Sequence, residues 1–167
     1  MDNLSKADRS ALMARIRSKN TNPERIVRSI LHRLGFRFRL HTYDLPGKPD
    51  IVLPRHRKII LVHGCFWHGH SCALASKPKS NQDYWVEKIK ANRKRDIRVK
   101  RNLIKQGWLI MQLWECEIRR GTRLVKDLKA FMRARPSVAI LGKRQGHTVP
   151  GPEVSSSQQP FLRGELH

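Results

Sequence analysis

Apolar residues return at helical spacing through TNPERIVRSILHRLG (residues 21–35), placing Ile26, Val27, Ile30, Leu31 and Leu34 on one face. Thr21 or Asn22 caps this segment, Pro23 sits in its first turn and Gly35 stops it. FRFRL (36–40) alternates at period two and predicts a half-buried strand. LPGKPDIVL (45–53) turns at Pro46-Gly47 and enters a strand at Asp50, and KIILV (58–62) is a continuous apolar run, as expected of a strand covered on both faces. A long basic helix follows over about 81–105, with Val86, Ile89, Ile97 and Ile104 as its apolar face. Arg93 and Lys100 interrupt that face where the period asks for apolar residues, which points them at phosphate. WLIMQLW (108–114) reads as another buried strand and TRLVKDLKAFM (122–132) as an amphipathic helix.

Both ends differ from this middle. SKADRSALMARIR (5–17) predicts a first helix capped by Ser5, with Asp8 three residues on, but Leu12, Met13 and Ile16 are few apolar anchors. Residues 1–20 are therefore expected to form an arm that orders against a partner. From Pro136 to His167 the pattern dissolves into Pro, Gly, Ser and Gln, the composition of a flexible tail. Between them, helix, strands, helix, strand and helix predict one compact α/β domain over 21–135, with helices flanking a small mixed sheet.

Composition narrows the partners. Hydrophobic residues make up 39% of the 167, enough for a real core. Lys and Arg number 35 against 13 Asp and Glu, a formal charge of +22, and self-repulsion of that size asks for a polyanion, most simply nucleic acid. No apolar run approaches the ~20 residues of a membrane span. The polar start MDNLSKADRS has no apolar signal core, so a reducing cytoplasm is expected.

The chemistry concentrates in LVHGCFWHGHSC (61–72), with three histidines and two cysteines in twelve residues. Cys65, His70 and Cys72, joined by the distant Cys116, make a complete tetrahedral donor set for Zn²⁺. Four donors leave no open position, so this zinc is expected to be structural. Three unrelated buried cysteines are the plainer alternative, but Cys65 and Cys72 sit among Gly, His and Ser rather than aliphatics. His63 and His68 remain. Asp50 opens a strand whose neighbour delivers His63 at its end, so a carboxylate and imidazoles can converge at one sheet edge. A hard oxygen ligand there suits Mg²⁺, and a neutral imidazole beside it can deprotonate a water. Phe66 and Trp67 flank Cys65, and Trp85 opens the basic helix. A loop tied down by zinc is a rigid mount for an aromatic wedge that unstacks DNA, whereas Trp108 and Trp114 belong in the core.

PGKPDIVL, VHGCFWHGHSC, YWVEKIKANRKRD and LWEC, in this order, resemble the very-short-patch-repair (Vsr) DNA mismatch endonucleases over about residues 5–132. The resemblance implies a restriction-endonuclease-like fold and a Mg²⁺-dependent nick 5′ to the thymine of a T:G mismatch in double-stranded DNA. It implies a bacterial, cytoplasmic, DNA-associated enzyme, expected as a monomer, with other mismatch-repair proteins as candidate partners. By matching position, Asp50 would bind Mg²⁺ directly and the Val62 backbone carbonyl would add a second ligand. His68 would be the general base, while Glu24 and His63 would hold the surrounding water. Cys65, His70, Cys72 and Cys116 would hold zinc, and Phe66, Trp67 and Trp85 would intercalate beside the mismatch. The family often has Thr where Val62 stands, and its histidine run is thinned here by Gly69 and Ser71. Glu24 also fits a capping box with Thr21, a purely structural use. The readings that compete are a non-catalytic zinc-containing nucleic-acid-binding protein and a related nuclease cutting another mismatch or junction.

Overall fold

The computed structural model describes residues 19–135 except Lys77 and Lys79. The expected helix over 5–17 and the tail from Pro136 lie outside the described residues.

Helix α1 (Asn22–Arg33) starts from Thr21 in extended backbone and is followed by Gly35 at φ +82°. Its inward face carries Val27, Ile30 and Leu31. Strand β1 (Arg39–Leu40) is shorter than the pattern of 36–40 suggested, because only two residues pair. The reason lies in its neighbour. Strand β2 (Ile51–Leu53) is bounded by Pro49 and Pro54, neither of which has an N–H for a ladder. Phe36 and Phe38 instead pack, half-buried, against the core.

The sheet order is β1-β2-β3-β4. Strand β3 (Lys58–His63) pairs antiparallel with β2 and parallel with β4 (Leu109–Trp114), in the register Val62↔Leu113 and His63↔Trp114. The crossover between these parallel strands carries helix α2 (Gln82–Lys105). Helices α3 (Glu115–Arg120) and α4 (Leu124–Arg133) follow β4. The mixed α/β arrangement matches the expectation from the pattern.

Alternation along the strands sorts side chains onto two faces. Ile51, Leu53 and Ile60 join Val27, Leu31, Ile118, Leu124 and Leu128 on one side. Val52, Ile59 and Leu61 join Leu103 and Trp108 on the other, with Val99 packed against them. The sheet is thus covered by α1, α3 and α4 on one face and by α2 on the other.

Helix α2 turns a different face inward from the one its apolar residues suggested. Leu103 is buried and Trp85, Ile89, Asn92, Asp96 and Val99 are half-buried, all on one stripe at spacings of three and four. Val86 and Ile97 are each 53% exposed, and Ile104 is 38% exposed, on the stripe that also holds Arg93 and Lys100. Two polar residues replace apolar ones on the inward stripe because each has a partner in the loop before the helix, as described below. Helix α3 had no counterpart in the pattern. Glu117 accepts a hydrogen bond from the Trp114 N–H (2.9 Å), and Gly121 at φ +70° ends the helix.

Candidate active site

Asp50 stands one residue before β2, and its carboxylate accepts a hydrogen bond from the Val62 N–H across the gap to β3 (2.8 Å). Burial pushes the Asp50 pKa up to about 6, the Val62 N–H opposes that, and the nearby charge of Glu24 adds to it. Glu24 itself is buried at the start of α1. Its oxygens accept from the Asn20 N–H (3.2 Å), the Thr21 N–H (3.3 Å), the Thr21 hydroxyl (2.8 Å) and the Arg28 guanidinium (2.5 Å). The structural use of Glu24 is therefore real. The carboxylate also faces the site, since ligand atoms of Glu24, His41 and Asp50 lie within 4.8 Å of one another.

Strand β3 delivers His63 at its end, and the following loop folds His68 back onto it. The two imidazoles stack with centroids 3.9 Å apart and planes 13° apart. Burial pushes the His63 pKa down to about 4, helped by the repulsion His68 exerts when protonated and opposed by Asp96, with Lys100 and Arg95 adding weakly, so this ring is neutral near pH 7. His68 Nδ1 lies 2.5 Å from Asp96 Oδ2. An ionised carboxylate only accepts, so Nδ1–H donates to it, and in that tautomer Nε2 carries the ring's lone pair. The Asn92 amide donates to the Trp67 carbonyl (2.9 Å), fixing the same loop to α2. Gly69 closes the loop at φ +65°, and a Cβ there would come within 2.6 Å of Ile89. Asp50, His63, His68 and Asp96 all line one cleft of about 760 Å³.

Beside this cleft, donor atoms of Cys65, His70, Cys72 and Cys116 lie within 4.8 Å of one another. Cys116 Sγ is 3.5 Å from His70 Nδ1, and the Cys116 N–H donates to Cys65 Sγ (3.4 Å). Burial pushes the Cys65 thiol up to about 12, while a hydrogen bond with His70 lowers Cys72 to about 7. The set could bind a metal. Three thiols and an imidazole are donors of the kind a tetrahedral soft-to-borderline cation takes.

The chain matches the family model for DNA mismatch endonuclease Vsr over residues 1–74. It is 55% identical over 117 residues to the type II nicking enzyme V.XorIIP of Xanthomonas oryzae pv. oryzae, covering 70% of this chain and 86% of that protein. It is 38% identical over 122 residues to DNA mismatch endonuclease Vsr of Escherichia coli K12, covering 73% of this chain and 78% of that protein. The type II nicking enzyme V.NmeAIP of Neisseria meningitidis is 44% identical over 128 residues, covering 72% of this chain and 91% of that protein. The chain belongs to the Vsr DNA mismatch endonuclease family. It is a DNA endonuclease.

Of the residues anticipated from the sequence of this Vsr-family endonuclease, Asp50, Glu24, Val62, His63 and His68 converge on the one cleft. Arg93 and Lys100 line its continuation past His63 and His68. Phe66, Trp67 and Trp85 meet edge to face, with centroids 5.0, 5.2 and 5.9 Å apart, and all three are half-buried. Trp108 is in the core, with Arg57 4.4 Å above its ring. Trp114 is a correction. It is half-buried and stacks on His70 (4.3 Å) while meeting His63 edge-on (5.4 Å), because the parallel register sets it directly beside His63. Asp96 and His41 were not anticipated. Asp96 lies off the apolar face that the pattern of α2 marked, so no local signal pointed to it; His41 lies in a loop without pattern.

Proposed function

We propose that this enzyme nicks one strand of duplex DNA 5′ to the thymine of a T:G mismatch, with Mg²⁺ as cofactor. The observation that carries the reading is the meeting of a half-buried carboxylate, Asp50, with the His68–Asp96 pair in one cleft. Asp50 and the Val62 carbonyl would hold the ion, since a residue's N–H and C=O leave a strand on the same side and the Val62 N–H already faces Asp50. Mg²⁺, when bound, offsets phosphate charge and makes water more acidic. His68 takes the proton at Nε2, and Asp96 at Nδ1 holds the ring in place and stabilises it once charged. His63 stays neutral and orders water through its ring nitrogens. Glu24, its oxygens already occupied by Thr21 and Arg28, acts by setting charge beside Asp50 rather than by direct ligation.

The Cys65–His70–Cys72–Cys116 set is read as a closed structural zinc site in a restriction-endonuclease-like framework. Phe66, Trp67 and Trp85 are read as the wedge at the mismatch, and Arg93 and Lys100 as phosphate contacts. The arm at 1–20 would add DNA contacts to a monomeric domain over 21–135, with the tail over 136–167 dispensable. The proposed setting is the bacterial cytoplasm, alongside other mismatch-repair proteins.

A nicking assay on strand-labelled duplexes covering every mismatch, with and without Mg²⁺, tests the reading. One nick at T:G, only with the ion, is expected. Asp50→Asn and His68→Ala should each lower the rate about 10²–10⁴-fold while retaining DNA binding. Wild-type rates in either variant would remove the assignment, and preference for another mismatch would favour a relative with different specificity.

A further inference from the structure

The loop joining β1 to β2 carries an aromatic that the site described so far does not use. Tyr43 is 68% exposed, yet it is held. The Lys19 ammonium donates to its hydroxyl (3.2 Å), and the Lys48 ammonium lies 4.7 Å from its ring centroid. The loop under it is fixed as well. The Lys48 N–H donates to the Leu45 carbonyl (3.1 Å), and Gly47, at φ +76°, lets Val99 of α2 approach so closely that a Cβ there would lie 2.5 Å from a methyl carbon. Tyr43, Lys19 and Lys48 line the same cleft as Asp50, Trp67 and His68. In sheet order the β1–β2 loop is on one side of Asp50, and β3 with its histidine loop is on the other.

We propose that Tyr43, bracketed by Lys19 and Lys48, is a second aromatic contact for DNA, receiving a nucleotide of the cut strand on the β1–β2 side of the cut. An aromatic with two ammonium groups beside it matches a nucleotide's own pairing of a π-face with flanking phosphates. A chain of net charge +22 already draws the polyanion to this surface. The Lys19 hydrogen bond, and then its charge, draw the Tyr43 pKa down. The cut strand would then pass between two aromatic supports, Phe66–Trp67–Trp85 on one side of Asp50 and Tyr43 on the other. The inference rests on the reading that this strand lies over Asp50.

The test is equilibrium binding of the full chain to a fluorescent T:G duplex in chelator, so that no cutting occurs, across a range of salt. A second set of duplexes carries 2-aminopurine at successive positions around the cut. Tyr43→Ala should weaken binding about five- to hundredfold, whereas Tyr43→Phe, which keeps the ring, should stay within about twofold. Lys48→Ala should lower the salt slope by about one, and Tyr43→Ala should not change it. Wild-type protein should quench 2-aminopurine at one position beside the cut, and Tyr43→Ala should abolish that quenching. Wild-type affinity and quenching in Tyr43→Ala would overturn the proposal, as would a Phe variant as weak as the Ala variant. An Arg93→Ala/Lys100→Ala double variant separates the two failures. If it weakens binding while Tyr43→Ala does not, only the Tyr43 contact falls; if neither does, the placement of DNA over the cleft falls too.

Discussion

Burial and the charge of Glu24 both oppose ionisation of Asp50, while the Val62 N–H is the main contact that favours it. A folded-state pKa near 6, against an ordinary value of 3.8, makes this carboxyl a stabilising group only when protonated. Its contribution is present in full below about pH 4 and is lost as pH rises through about 6. Without divalent metal, Asp50→Asn should therefore be more stable than the parent at pH 7, by up to about 3 kcal/mol, and equal to it below about pH 4. Thermal melts of both proteins in chelator across pH 3–8 check this. Mg²⁺ should raise the melting temperature of the parent and leave the variant unchanged. At limiting Mg²⁺, nicking should fall as pH drops through about 6, because the protonated carboxyl holds no cation. A variant less stable than the parent at pH 7 would show that the Val62 hydrogen bond outweighs desolvation.

At the scale of elements, the cysteine–histidine set joins two pieces that are far apart in sequence. Its near end is the loop over 64–72, which also carries His68; its far end is the first turn of α3. A six-residue helix is too short to be stable alone or to show a period, which is why α3 left no pattern. Metal binding would hold it against the loop, and the energy of such a bond set is folding energy. Elemental analysis should give about one zinc per chain. Cys116→Ser should lose that zinc and at least ~3 kcal/mol of stability, or become insoluble, as read by melting temperature and yield. Active, soluble protein without zinc would leave the set as three free thiols and a histidine. Helix α1, by contrast, was legible because Thr21, Pro23 and Gly35 mark its ends locally.

Over the whole molecule, charge is carried almost entirely outside the tail. Residues 136–167 contain Lys143, Arg144 and Arg163 against Glu153 and Glu165, so their removal takes one unit from +22. Among the described residues, the cleft and the metal set are built from positions between 19 and 116. Truncation after Arg135 should therefore leave melting temperature, nicking rate and the salt slope of DNA binding nearly unchanged. Loss of activity in a truncated chain that still folds would assign the tail a part in DNA binding.

Local order made much of this protein readable before any fold was known. Short spacings put Cys65, His70 and Cys72 on one loop, apolar runs marked β3 and β4, and capping residues bounded α1, since each of these depends only on neighbours in sequence. Asp50 and His63 could be brought together because the strands they flank are consecutive and antiparallel. The rest needed the tertiary structure. Asp96 meets His68 across 28 residues, and nothing in the local pattern of α2 says that its inward stripe includes Asn92 and Asp96 rather than Val86 and Ile97. Trp114 stands between the histidines of two sites because β3 and β4 are parallel and in that register. A helix or strand presents several faces of similar polarity, and only the partners it packs against decide which one turns inward.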